Sequence, residues 1–390
     1  MKRLAVLVMS ASALALAGCG GSVKDGDSPV EERSLTPQGV AAATTIDFAK
    51  VANYSAPKLP PYFDHTASAL DNSAPPNVVN DRVATLGRVM FYDLRLSTTE
   101  RASCASCHQQ RLGFTDSMQF SNGISGAVTT DFHAMRLGNL RYWKPGTMFW
   151  DRRMGSVEAQ TSQPFHSLVE LGWGSSAGGI EALIRKMGAT DYYPDLFAWA
   201  FDSRAIDERR IQLALAHFVR AMISTSSRWD AGYAQVFSPT AHNRALDVPL
   251  PNFTPQENRG RHLFMTGVRE GGAACSSCHL PPTFALTADA RSNGLDPGER
   301  RLFKAPSLRN VGLTGPYMHD GRFQTLAQVV AFYDKGVQQG AALDDRLRQR
   351  GKPQRLNLSE ADRAALVAFL KTLDDPVMTM DKRFSDPFRR

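Results

Sequence analysis

After residue 78, apolar side chains recur mainly at helical spacing. Ile211, Leu215, Phe218, Val219 and Met222 form one stripe, which predicts a helix over residues 206–229. Thr254-Pro255-Gln256-Glu257 has the form of a capping box with proline at the first helical position. Ser359, followed by Asp362, starts another helix that carries Leu366, Phe369 and Leu370. Thr325 reads as an N-cap. Behind it, Leu326, Val329, Val330 and Tyr333 fall at i, i+3, i+4 and i+7, which puts Tyr333 on the buried stripe of a helix. Strand-like alternation is scarce, so the fold expected is mainly α.

Residues 20–78 break this pattern. Pro29, Pro37, Pro57, Pro60, Pro61, Pro75 and Pro76 interrupt them, and they read as a tether whose later part, around Tyr62-Phe63, packs on the folded body. Before the tether, Lys2 and Arg3 precede an apolar run over residues 4–17, too short to span a bilayer comfortably. The run ends in Leu16-Ala17-Gly18-Cys19, which resembles a bacterial lipobox. Residues 1–18 are then a lipoprotein signal peptide and Cys19 carries the lipid. The alternative is an ordinary signal peptide with a chance cysteine. Gly20, in place of the aspartate that retains such proteins at the inner membrane, favours outer-membrane sorting by that resemblance. The location expected is the periplasm, with membrane anchoring through the N-terminal lipid alone.

Two segments repeat weakly. Gly87-Arg88-Val89-Met90-Phe91 precedes Cys104, and Gly260-Arg261-His262-Leu263-Phe264 precedes Cys275. Each opens a unit of helix, loop and cysteine motif, which predicts two similar domains. Val248-Pro249-Leu250-Pro251 lies between them, giving domains over residues 79–247 and 248–390.

Five cysteines narrow the chemistry: Cys19 at the lipobox, and Cys104, Cys107, Cys275 and Cys278 in two matched pairs. Cys104-Ala105-Ser106-Cys107-His108 and Cys275-Ser276-Ser277-Cys278-His279 both fit Cys-x-x-Cys-His, the c-type haem attachment pattern. Two thiols on one turn reach the two vinyl groups of one porphyrin, and the adjacent imidazole faces the iron. A zinc site would gather four ligands, whereas these pairs lie far apart, and a redox dithiol would not need the histidine. His108 and His279 are therefore the expected proximal iron ligands. A second face filled by protein gives electron transfer, and an open one permits peroxide to bind. The net charge of +7 is spread out, with no basic block interleaved with aromatics, so no nucleic-acid partner is indicated. A basic surface suits an anionic partner protein.

Over residues 86–373 the chain resembles the bacterial di-haem cytochrome c peroxidase and MauG superfamily. The resemblance rests on Phe91-Tyr92-Asp93-x-Arg95-Leu96-Ser97 and Phe149-Trp150-Asp151. It rests equally on Phe303-Lys304-Ala305-Pro306-Ser307-Leu308-Arg309-Asn310-Val311 and Pro316-Tyr317-Met318-His319-Asp320-Gly321. It implies two cytochrome c-like domains, each with one covalently bound haem c, the first peroxidatic and the second for electron transfer. It further implies that Trp150 relays electrons, that Gln160 lies in the distal pocket and that Glu170 is the acid and base of the peroxide reaction. Without the resemblance these three read as a core aromatic, a helix-face residue and a solvated charge.

Many members carry a histidine in the loop after the first haem. Here residues 115–128 contain none, so the chain is similar to the subset whose first haem is open. His133 is the nearest substitute ligand, or else a satisfied polar residue at the domain interface. At the second haem, Tyr333 matches the position held by a methionine ligand in the ordinary peroxidases and by a tyrosine ligand in MauG-type enzymes. The alternative is a packed core tyrosine with Met318 or a water on the iron. The resemblance also implies an interdomain calcium on carbonyls matching Thr314 and Pro316, with His133 replacing the family's asparagine. Calcium prefers oxygen, which counts against that ion.

The activity implied is reduction of hydrogen peroxide to water with electrons from a small periplasmic redox protein such as a cytochrome c. One alternative is a MauG-type enzyme that oxidises side chains of a partner protein through a high-valent haem state. A second is a di-haem electron carrier without catalysis. The resemblance is compatible with a homodimer.

Overall fold

The computed structural model describes residues 37–73 and 77–389. The signal peptide and Cys19 lie outside them. The described chain is mainly helical, with two short antiparallel ladders, His279–Leu280 against Ala285–Leu286 and Arg348–Gln349 against Lys352–Pro353.

Two helix pairs organise it. Asp81–Tyr92 packs on Glu208–Arg220, and Pro255–Met265 packs on Glu360–Lys371. A Cβ on Gly87 would stand 1.9 Å from the Ala214 carbonyl oxygen and 2.9 Å from Phe218 Cβ. A Cβ on Gly260 would meet Ala365 and Phe369 at the same two distances. The repeat seen in the sequence is thus a repeated crossing, in which glycine lets two helix backbones touch. Around the first pair lie Leu86, Phe91, Leu196, Phe197, Ile211 and Phe218. Around the second lie Trp229, Leu263, Phe264, Phe284, Leu366 and Phe369.

The predicted capping residues do cap. Thr254 accepts from the Glu257 N–H at 3.2 Å, Ser359 from that of Asp362 at 3.1 Å, and Thr325 from that of Gln328 at 3.3 Å. Two helices differ from expectation in length. The helix expected over residues 206–229 ends at Arg220, and a new one, Arg228–Val236, follows. Asp375 causes the break: its Oδ2 accepts from the Thr225 and Ser226 N–H groups at 3.0 and 2.9 Å and from the Ser224 hydroxyl at 3.0 Å. Likewise, the α-helix after Thr325 ends at Ala331 and passes into a π-turn, Phe332–Gly336, that holds Tyr333. Gln354 Nε2 donates to the Tyr333 carbonyl at 3.0 Å, taking an acceptor that an α-helix would use.

The segment expected as a tether is packed from residue 37 onward, because it carries apolar side chains that both clusters bury. Val40, Phe48 and Tyr54 enter the first, and Tyr62 and Phe63 the second. The clusters also divide the chain differently from a cut at residues 248–251. Trp229 and Tyr233 belong to the second, whereas Met378 and Phe384 belong to the first. The last residues are held there by Tyr54 Oη on the Arg383 carbonyl at 2.7 Å and Arg88 Nε on that of Ser385 at 2.8 Å. A buried fork joins Trp229's neighbour Asp230 to Arg309, at 2.7 and 2.9 Å, with side chains 4% and 0% exposed.

Candidate functional site

Cys104–Cys107 forms one helical turn, started by Ser103, whose N–H donates to Ser106 Oγ at 3.0 Å. One turn brings both sulfurs to the same side. His108 closes the turn, and its Nδ1 lies 2.9 Å from the Phe114 carbonyl. A ring that donates from Nδ1 keeps its lone pair on Nε2, the tautomer a metal ligand requires. Burial lowers the His108 pKa, which keeps the imidazole neutral. In the second motif a 3₁₀ turn, Cys275–Ser277, leads into Cys278 and His279, and burial holds His279 down to about 4. Burial pushes Cys104 and Cys275 each up to about 12. All four thiols are free of disulfides. Free thiols paired on one turn, with the adjacent His108 fixed through Nδ1, fit c-type haem, and no group of three or more metal-ligating side chains occurs among the described residues.

The second motif lines a largely apolar cavity together with Phe264, Leu286, Leu326, Val330, Met318 and Tyr333. That lining fits a flat, apolar macrocycle. Asn293 Nδ2 donates to Tyr333 Oη at 3.3 Å and lies 3.6 Å from Met318 Sδ. Both side chains considered as iron ligands are therefore held by one amide. Burial pushes the Tyr333 phenol up to about 12, against the Asn293 hydrogen bond that lowers it. Asn293 had no signal in the sequence, since only tertiary packing puts it beside Tyr333.

Around the first motif, Glu170 is the carboxylate whose charge reaches both thiols, raising Cys104 and Cys107. Its own pKa is raised, first by burial and further by Asp131, against Arg153. The 115–128 loop is fastened next to it: Ile124 N donates to the Val169 carbonyl at 2.8 Å. Gln160 lies half-buried on the Val157–Thr161 helix, and no hydrogen bond among the described residues joins it to Glu170.

His133 is satisfied on both ring nitrogens, by the Met118 carbonyl at 3.0 Å and Thr115 Oγ1 at 3.1 Å. It acts structurally here, between the motifs. Its N–H donates to the His319 carbonyl at 2.9 Å, and its own carbonyl accepts from Trp150 Nε1 at 2.8 Å. The Trp150 carbonyl accepts from Lys304 N at 2.7 Å, and its ring lies 6.5 Å from that of His319. His319 in turn stacks on Phe303 at 4.2 Å. The His133 ring is not free to serve the calcium expected on the Thr314 and Pro316 carbonyls. Thr314 Oγ1 accepts from the Arg136 guanidinium at 3.2 Å, so a fixed cation already sits beside it, and the His133 nitrogens are taken.

Two cations, the buried Lys304 and the half-buried Arg136, had no assigned part in the sequence reading. Lys304 falls to about 7 and Arg136 to about 10, each chiefly through burial. Lys304 lay inside a motif already singled out, and its apolar neighbours were the signal to read.

Comparison with known proteins points to one family. Residues 81–236 match the di-haem cytochrome c peroxidase family. The chain is 31% identical over 318 residues to the methylamine utilization protein MauG of Methylorubrum extorquens, spanning 76% of this chain and 79% of that one. It is 26% identical over 274 residues to cytochrome c551 peroxidase of Nitrosomonas europaea, spanning 64% and 72%. Among solved structures, a MauG-like protein associated with microbial copper homeostasis superimposes with a TM-score of 0.67 at 29% identity, covering 87% of this chain and all of that one. The dihaem peroxidase BthA of Burkholderia thailandensis shares the fold at a TM-score of 0.60 and 23% identity, covering 80% and 91%.

Proposed function

The chain belongs to the di-haem cytochrome c peroxidase and MauG family, which implies two haem c groups, and from that premise we propose that it reduces hydrogen peroxide to water with electrons from a periplasmic redox protein. Cys104, Cys107 and His108 would hold the first haem, and Cys275, Cys278 and His279 the second, in two cytochrome c-like domains. When bound, the haems supply the redox chemistry. The chain's own residues supply protons, orientation and a path. The observation that carries the reading is Glu170, a half-buried carboxyl of raised pKa at the first attachment turn, beside a loop without histidine.

Peroxide must lose a proton as it binds and gain one as its oxygen–oxygen bond breaks. Glu170 serves both transfers, because a raised pKa makes it a better base and an acid nearer neutral pH. Gln160 orients the substrate. Trp150, pinned at its Nε1 by His133 and at its carbonyl by Lys304, carries electrons between the two haem regions. Tyr333 would help to hold the His279 haem, with Asn293 donating to its oxygen. The lipid on Cys19 would tether the protein in the periplasm, and no helix among the described residues is long and apolar enough to cross a membrane.

Tyr333 and the similarity to MauG favour a second reading, oxidation of side chains on a partner protein. The test mixes oxidised, haem-loaded protein with peroxide, with and without a reduced c-type cytochrome. Rapid cytochrome oxidation without prior reduction supports the peroxidase. A long-lived oxidised protein with little cytochrome oxidation supports the second reading. Ferric protein that binds neither peroxide nor cyanide leaves an electron carrier.

A further inference from the structure

Arg136 and Lys304 both line the cavity that also carries Cys275, Cys278, His279 and Tyr333. Among the described residues, neither forms an ion pair. Lys304 Nζ has three protons to donate, and its hydrogen-bond partner is the weak acceptor Met135 Sδ, at 3.4 Å. Arg136 donates to neutral oxygens alone: the Ser307 carbonyl at 2.6 Å, Thr314 Oγ1 at 3.2 Å and the Pro306 carbonyl at 3.3 Å. Arg152 adds a third positive charge nearby. Another cation of the lining, the half-buried Arg346, is already paired with Asp344 at 2.7 Å. A buried ammonium without an anion beside it is costly, so Lys304, with the half-buried Arg136 in the same lining, suits a negative ligand.

We infer that Arg136 and Lys304 are the carboxylate-binding edge of this cavity and receive the two propionates of the haem attached at Cys275 and Cys278. The inference rests on the proposed haem at that motif. A porphyrin fixed to cysteines through its vinyl groups presents its propionates at another edge. The two cations offer charge-assisted hydrogen bonds there, and guanidinium matches carboxylate in two-point geometry. Lys304 also donates its backbone N–H to the Trp150 carbonyl, and Trp150 lines the same cavity. The propionate edge therefore faces Trp150, and the anchor and the relay share one rigid segment.

The test uses the haem-loaded full chain with Lys304→Gln, Arg136→Gln and the charge-keeping Lys304→Arg. Mass spectrometry first reads haem on Cys275 and Cys278. If the wild-type protein carries none there, the proposed function itself fails. With haem attached, resonance Raman reads the propionate bending band and a redox titration reads the potential of each haem. The expected result is a shifted band in both Gln variants and a more negative potential for the second haem, with the first haem unmoved. Lys304→Arg should restore the band and the potential. An unmoved band in both Gln variants overturns the inference, as does a shift in Lys304→Arg equal to that in Lys304→Gln. If the Gln variants load no second haem, Lys304→Arg decides alone: loading with a wild-type band supports the inference, and failure to load overturns it.

Discussion

Trp150 Nε1 donates to the His133 carbonyl at 2.8 Å, while the His133 ring bonds Thr115 at 3.1 Å, in the loop behind His108. The Trp150 backbone carbonyl is meanwhile held by Lys304 at the edge of the second cavity. Trp150 is thus tied through its indole and His133 toward the first motif, and through its backbone to a residue that lines the second cavity. Trp150→Phe keeps an aromatic ring but removes the indole donor. It should cost about 1 kcal/mol of stability, the usual net worth of one hydrogen bond. Stopped-flow spectra should show both haems intact and electron exchange between them slowed. Unchanged exchange would reject the relay.

Glu170→Gln should slow the reaction with peroxide by about 100-fold or more, the usual worth of a placed acid–base group. The pH profile tells more. Burial raises the Glu170 pKa, so its base form is lost as pH falls, and at a higher pH than for an ordinary carboxylate. Peroxide reactivity should fall on that acid limb in the wild type, and the limb should vanish in Glu170→Gln. A limb that persists in the variant belongs to another group.

Tyr333→Phe removes the oxygen held by Asn293 and should change the low-spin resonance signal of the second haem. Met318 shares the same amide contact and lines the same cavity, so its sulfur is the replacement ligand to look for. An unchanged signal makes Tyr333 a packing residue.

His108→Gly should abolish peroxide reactivity while the His279 haem keeps its spectrum. Retained reactivity would exchange the roles of the two haems.

Gly260→Ala would drive a methyl into the Ala365 carbonyl, 1.9 Å from the ideal Cβ position. The two helices must separate, at a cost of about 1–3 kcal/mol or more. Denaturant unfolding should show the loss, and Gly87→Ala should match it, because its clash with Ala214 is the same.

Much of this protein was legible in one dimension because its chemistry is local. A Cys-x-x-Cys-His turn needs no partner from elsewhere, so both attachment motifs stood in the sequence complete. Caps are equally local, and Thr254, Thr325 and Ser359 start their helices as read. The glycine repeat pointed to two similar units, although its reason, backbones touching at Ala214 and Ala365, appears only in three dimensions.

Helix ends set by distant side chains were not legible. Asp375 stops one helix at Arg220, and Gln354 accompanies the turn that carries Tyr333. The apparent tether is buried because both clusters accept its aromatics, a fact no local pattern encodes. The same holds for charge. In the sequence Arg136 and Lys304 are two of 45 basic residues. Folding brings them to one cavity, where neither forms an ion pair among the described residues and Asp374 is the carboxylate that acts on Arg136 through its charge. Local pattern therefore determined which groups can bind covalently and where helices begin. Tertiary structure decided which charges are left without partners, because burial and pairing depend on residues far apart in the chain.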